Sequence, residues 1–148
     1  AVERGFRQGG FAPPPGVTRA DYRASFKKEL ELVGRMHKAG VPIVAGTDGS
    51  GLELVRELEL YVQAGFSNVD ALRAATIVPA TLVGAEKHTG RIAIGWDADV
   101  VLVDGDPSKN IGDLRHTKVV MMDGKLMDAD KLRAAVGISA MPKYDRGE

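Results

Sequence analysis

The chain has 148 residues, 20 basic against 20 acidic side chains, 44% hydrophobic residues and no cysteine. That is enough apolar material for one compact domain or two small pieces, and zero net charge argues against a nucleic-acid or anionic-membrane surface, which needs clustered Lys and Arg. Without cysteine there is no disulfide frame, no thiolate zinc knuckle and no cysteine nucleophile, which favours the cytoplasm, and no apolar run approaches the ~20 residues of a membrane-spanning helix.

The first residue is Ala1 rather than Met, and no signal-peptide pattern comes after it, so the chain is expected to be a piece of something longer. Residues 1–17 hold three consecutive prolines, Pro13, Pro14 and Pro15, and read as a long loop. Thr18-Arg19-Ala20-Asp21 has capping-box spacing. Tyr22, Phe26, Leu30, Val33 and Met36 then recur at helical steps, and Gly40 supplies a left-handed stop. The continuous run Val41-Pro42-Ile43-Val44-Ala45-Gly46 predicts a strand buried on both faces of a parallel sheet. After Thr47-Asp48-Gly49-Ser50-Gly51, Leu52, Val55, Leu58, Tyr61 and Val62 mark a second helix closed by Gly65. Ser67-Asn68-Val69-Asp70 repeats the capping-box spacing before an Ala-rich helix that should give way near Pro79 to a turn ending at Gly84.

From Gly90 the grammar changes from α/β to short strands. Arg91–Gly95 and Asp99–Asp104 are predicted strands separated by a Gly-Trp-Asp-Ala turn, and His116–Met122 with Lys125–Met127 form a hairpin across Asp123-Gly124. A last helix should start after Asp128 and end at Gly137. These shifts put a boundary near residue 88, giving segments 1–88, 89–127 and 128–148.

Asp48 is the leading candidate for chemistry. It stands directly after an apolar strand, and α/β folds gather their active sites at the carboxyl ends of parallel strands. Two alternatives stay open: Asp48 caps the next helix or shapes the Gly-rich turn, or the loop cradles phosphate, which an acidic side chain at its centre and the lack of a Lys-Ser/Thr ending oppose. His37 belongs to a helix C-terminus, where a cation suits the dipole. His88 and His116 read as solvated, and no two histidines have zincin-like spacing. Glu53, Glu57 and Glu59 read as a solvated helix face, with Arg56 and Glu57 near the Asp48 loop. Trp96 and Asp97 belong to a turn, and no serine stands in a nucleophile elbow.

Taken in order, Gly40 to Asp48, Arg56-Glu57-Leu58-Glu59-Leu60, Ala64-Gly65, Ala71 to Thr76 with Pro79-Ala80, Thr89 to Leu102, Asp104-Gly105-Asp106-Pro107 and Asp123-Gly124-Lys125 resemble the carboxyl-terminal third of metal-dependent amidohydrolases, in the imidazolonepropionase and Xaa-Pro dipeptidase (prolidase-like) branch. The resemblance covers about residues 26 to 137. It implies the carboxyl-terminal part of a (β/α)8 TIM-type barrel, strand eight with its helices, and then the returning strands of a small antiparallel β-sandwich. It further implies that Asp48 is the carboxylate after strand eight, binding one of one or two divalent ions, zinc first among them, and relaying a proton from water to the leaving amine. One visible carboxylate does not separate zinc from manganese or iron.

The sequence also departs from that pattern. The family's His-x-His pair, its strand-four Lys or Glu and its histidines after strands five and six have no counterpart, and Gly51-Leu52-Glu53-Leu54 lacks the histidine that relatives often carry after the aspartate. A closed barrel needs ~250 residues, so the remainder is expected from the same parent chain or a partner chain, and the isolated segment should be inert. The expected substrate is a small molecule or dipeptide, with a C–N bond cleaved in an amide, cyclic amide or dipeptide; a homo-oligomer is compatible. The competing expectation is a non-catalytic binding or assembly module derived from such an enzyme.

Overall fold

The computed structural model of the chain describes residues 14–47 and 53–138. Helix α1 (Arg19–Lys38) starts at the expected cap: the Thr18 hydroxyl accepts the Asp21 N–H at 3.2 Å, and the Asp21 carboxylate accepts the Thr18 N–H at 2.8 Å. Val33 packs on the core, whereas Tyr22 and Phe26 of the same stripe stay exposed. Gly34 brings α1 against α2 (Leu54–Ala64). A methyl group there would overlap the Ala64 carbonyl oxygen, so the two backbones touch directly.

Gly65 closes α2 at φ 106°, as its position predicts. Ser67 caps α3 (Asn68–Ala74), its hydroxyl accepting the Asp70 N–H at 3.0 Å. The Ala-rich helix does not persist to Pro79. It breaks at Ala75 and Thr76, and Pro79 lies in the first turn of a separate helix, α4 (Ile77–Leu82), where its missing N–H costs no helical bond.

The predicted strand Val41–Gly46 is not one. Residues 41–47 make no ladder with any described segment, and Val41 is 41% exposed rather than buried on both faces. A parallel strand exists through its neighbours, and without them its polar backbone groups find other partners. The Ala45 N–H donates to the Ala74 carbonyl at 2.8 Å, for example. Arg91–Gly95 fails as a strand for the same reason, with Ile92 83% exposed and Ile94 fully so. That segment is held as a turn: the Trp96 indole N–H donates to the Glu86 carbonyl at 3.0 Å, the Asp97 N–H donates to the His88 carbonyl at 2.8 Å, and the Arg91 guanidinium lies 4.9 Å from the Trp96 ring centre.

The described strands are β1 (Val100–Val103), β2 (Thr117–Met122) and β3 (Lys125–Asp128), an antiparallel sheet in the order β1-β2-β3. Val101 faces Val120, Val120 faces Met127, and a bulge falls between Leu102 and Val103. Asp123 and Gly124 turn the hairpin at φ 50° and 72°, the left-handed pair that a tight two-residue connection demands. His116 does not begin β2; it ends a 3-10 turn, Ile111–His116. Asp128 caps α5 (Ala129–Ala135) through the Lys131 N–H, and Arg133 reaches the Thr117 carbonyl at 3.0 Å to seat that helix on the sheet.

Leu58, Tyr61, Phe66, Ala71, Ala74 and Ile111 form the buried core, flanked by Val33, Ile43, Ala45 and Leu114. Ile111 and Leu114 come from the 3-10 turn, so helical and sheet-bearing stretches share one apolar cluster. Among the described residues no helix is long and apolar enough to cross a membrane.

Candidate functional site

Asp48, the residue to which the sequence assigns both catalysis and metal binding, lies outside the described residues, as do Gly49, Ser50, Gly51 and Leu52. The structure does describe the backbone leading to it. Both oxygens of Glu57 accept the Gly46 N–H, at 3.2 and 3.1 Å. One helical turn later, the Tyr61 hydroxyl stands 2.7 Å from Glu57 Oε1 and 3.0 Å from the Val44 carbonyl oxygen. Burial and then the Glu57 carboxylate push the Tyr61 phenol well above its ordinary pKa, so it stays protonated and a donor. The Tyr61 ring stacks on Phe66, centroids 5.0 Å apart, and Phe66 stacks on His37 at 3.7 Å.

The carboxylates of α2 therefore do not form a solvated face. Besides Glu57, Glu59 accepts Arg115 through Oε1 and Arg56 through Oε2. Partial burial alone would raise the Glu59 pKa, but Arg115 and then Arg56 outweigh it and hold the carboxyl below its ordinary range. Glu53 is the N-cap of α2 without a capping side-chain bond, and its Oε2 is buried with no partner among the described residues.

His37 lies in the last turn of α1 as expected, but its role is packing as much as charge: it stacks on Phe66, with Nε2 3.9 Å from Asp70 Oδ2. The Ser67 hydroxyl, with His37 and Arg73 adding attraction against slight burial, lowers the Asp70 pKa. His88 is exposed and His116 half-buried. Among the described residues, no three His, Cys, Asp or Glu side chains come together to hold a metal ion, so this portion does not by itself fit one.

An open, mostly apolar groove of about 490 Å³ lies between the end of α1, residues 40–43 and helices α3 and α4, with Ile43, Phe66, Ile77 and Leu82 in its walls. It meets segment 41–46 at its beginning, whereas Asp48 lies past the end of that segment. Sequence reasoning missed the roles of Glu57 and Tyr61, although their four-residue spacing puts both on one helix face just after the Gly-Thr-Asp loop.

Comparison with known proteins bears on this arrangement. The chain is 34% identical over 86 residues to the ochratoxinase of Aspergillus niger, covering 56% of this chain and 18% of that protein. In three dimensions it is similar to that ochratoxinase (TM-score 0.65, 27% identity, 86% of this chain and 30% of the other). It is also similar to a Xaa-Pro dipeptidase with methionine bound in its active site (TM-score 0.68, 26% identity, 86% and 32%). A third similar structure is a prolidase complexed with N-methylphosphonate-L-proline (TM-score 0.66, 29% identity, 85% and 31%). The chain thus spans less than a third of the length of these relatives. Residues 17–127 match the sequence model of the Amidohydrolase family, and with the ordered motifs and the shared fold this places the chain in the amidohydrolase family.

Proposed function

We propose that the chain forms the carboxyl-terminal part of a hydrolase that cleaves a C–N bond in a small amide, cyclic amide or dipeptide, with Asp48 as its proton-transfer group. The carrying observation is the anchoring of residues 44–46 by Ala74, Glu57 and Tyr61 immediately before Thr47-Asp48. Family membership and the prolidase and ochratoxinase relatives support the reaction class. Asp48 accepts a proton from the attacking water and returns it to the leaving nitrogen, so its carboxylate must be ionised at the start of each turnover. The same carboxylate is proposed as one ligand of a divalent ion, zinc in the first instance. A catalytic zinc takes three protein ligands and an open position, and the others come from outside these 148 residues. The isolated segment is accordingly inert.

The test is Asp48→Asn in an active enzyme carrying these residues. The amide preserves shape but cannot hold the transferred proton, and turnover falls by at least ~10²–10⁴. The melting curve stays close to that of the parent, because Leu58, Phe66 and Ile111 rather than Asp48 fill the described core. Near-normal turnover would reduce Asp48 to a loop-shaping residue and favour a non-catalytic binding or assembly module.

A further inference from the structure

We propose that α1 carries a second packing face, made of Tyr22, Ser25, Glu29, Leu32 and Met36, which takes an amphipathic helix from the part of the parent hydrolase outside these 148 residues, with a Lys or Arg of that helix set against Glu29. The inference rests on the reading of the chain as a portion of a longer hydrolase and makes no use of Asp48. Exposure divides α1 lengthwise. Leu30, Val33, Gly34 and His37 are covered: Val33 packs on the core, Gly34 meets Ala64 of α2, and His37 stacks on Phe66. Further round the helix Tyr22, Ser25, Glu29, Leu32 and Met36 recur at steps of three, four, three and four, and all five are exposed, Leu32 at 54% and Met36 at 36%.

Steps that alternate three and four keep to one line along a helix, which is how one helix lies along another. A helix with a single buried face turns polar residues the other way. Instead α1 presents Leu32 and Met36 one turn apart, in the half of the helix already packed against α2. From Tyr22 to Met36 the face runs roughly 21 Å, the length of a helix of about four turns. Charge narrows the occupant. Glu31, on the far side of α1, has Lys27 and Arg35 four residues away in each direction, whereas the residues three and four away from Glu29 are Ser25, Phe26, Leu32 and Val33. No ion pair reaches Glu29 among the described residues. A lone carboxylate in such a line fixes both register and partner, and it calls for a cation from outside. A second copy is the poorer fit, because the five residues of this face include no cation to meet another Glu29. The chain covers only 30–32% of its solved relatives, so the parent hydrolase has ample further chain from which to supply the helix.

The test compares the complete enzyme with the 148-residue chain, each as the parent and as three variants: Leu32→Gln together with Met36→Gln, Glu29→Gln, and Glu29→Lys. Gln and Lys are good helix formers, so α1 itself is preserved. In the 148-residue chain all three variants should keep the parent's melting midpoint, since the altered side chains are exposed there. In the complete enzyme the Leu32 and Met36 double variant is expected to lower the midpoint by at least about 2–4 °C. Glu29→Lys should lower it further than Glu29→Gln, because it sets like charges against each other. An unchanged complete enzyme would overturn the proposal by leaving the face open, and Glu29→Lys no worse than Glu29→Gln would remove the partner's cation. Light scattering that finds the 148-residue chain dimeric, and monomeric once Leu32 and Met36 are replaced, would make the occupant a second copy. A native product of only these 148 residues would remove the longer hydrolase and this docking with it, whereas an active Asp48→Asn enzyme would bring down the catalytic assignment alone.

Discussion

Arg115 donates from both Nε and Nη2 to a single oxygen of Glu59, at 3.1 and 2.9 Å, across 56 positions of sequence. With Arg56 on the other oxygen, the carboxylate joins α2 to the 3-10 turn beside Ile111, where the core closes. Because the pKa of Glu59 is lower folded than its ordinary 4.5, its contribution to stability is present above that value and is lost as the pH falls through the folded value. The denaturation midpoint of the parent should therefore drop more steeply than that of Glu59→Gln on acidification below 4.5. Parallel curves for the two proteins would show that the ion pair contributes nothing to stability.

Gly34→Ala tests the backbone contact between α1 and α2. The added methyl would overlap the Ala64 carbonyl oxygen, which cannot swing aside as a side chain could. Overpacking of this kind costs about 1–3 kcal/mol, against a small gain in helix propensity. A lowered urea midpoint with an unchanged slope is expected, and an unchanged midpoint would mean that the helices separate freely.

The hairpin offers a purely conformational test. Gly124 sits at φ 72° with nothing within 4 Å of a potential Cβ, so Gly124→Ala meets no steric contact and its effect is backbone strain alone. A non-glycine residue in that region costs about 1–2 kcal/mol. The loss should appear in the unfolding midpoint and in faster amide exchange at Met122 and Lys125, the register pair that flanks the turn.

Calorimetric titration of the 148-residue chain with zinc should show no stoichiometric submicromolar uptake, since the one carboxylate assigned to the metal stands against the three protein ligands that a catalytic zinc needs. Tight uptake by the parent that Asp48→Asn abolishes would mean that this segment assembles a metal centre alone.

Local rules were legible from sequence. The caps at Thr18, Ser67 and Asp128, the stop at Gly65 and the turn at Asp123-Gly124 each depend on residues within three or four positions, and each stands where the pattern puts it. The two misplaced strands fail for a common cause. Val41–Gly46 and Arg91–Gly95 have strand composition, but composition only fits a segment for a ladder and cannot supply the neighbour that completes it. The break at Thr76 escaped because a proline reads first as a stop, whereas a proline in a first turn is as much a start. On the site, the sequence singled out Asp48 but read Glu57 and Glu59 as solvated, since Gly46 and Arg115, eleven and 56 positions away, leave no trace in a helical wheel.

The shared core has a consequence for how the chain is made. Leu58, Phe66, Ala71 and Ala74 are complete as a set long before Ile111 exists to cover them. At about 5–20 residues per second, synthesis from Ala74 to Ile111 takes roughly 2–7 s. During that interval the nascent helices carry an uncovered apolar surface, and the ribosome rather than the finished fold determines how long they must wait for it to close.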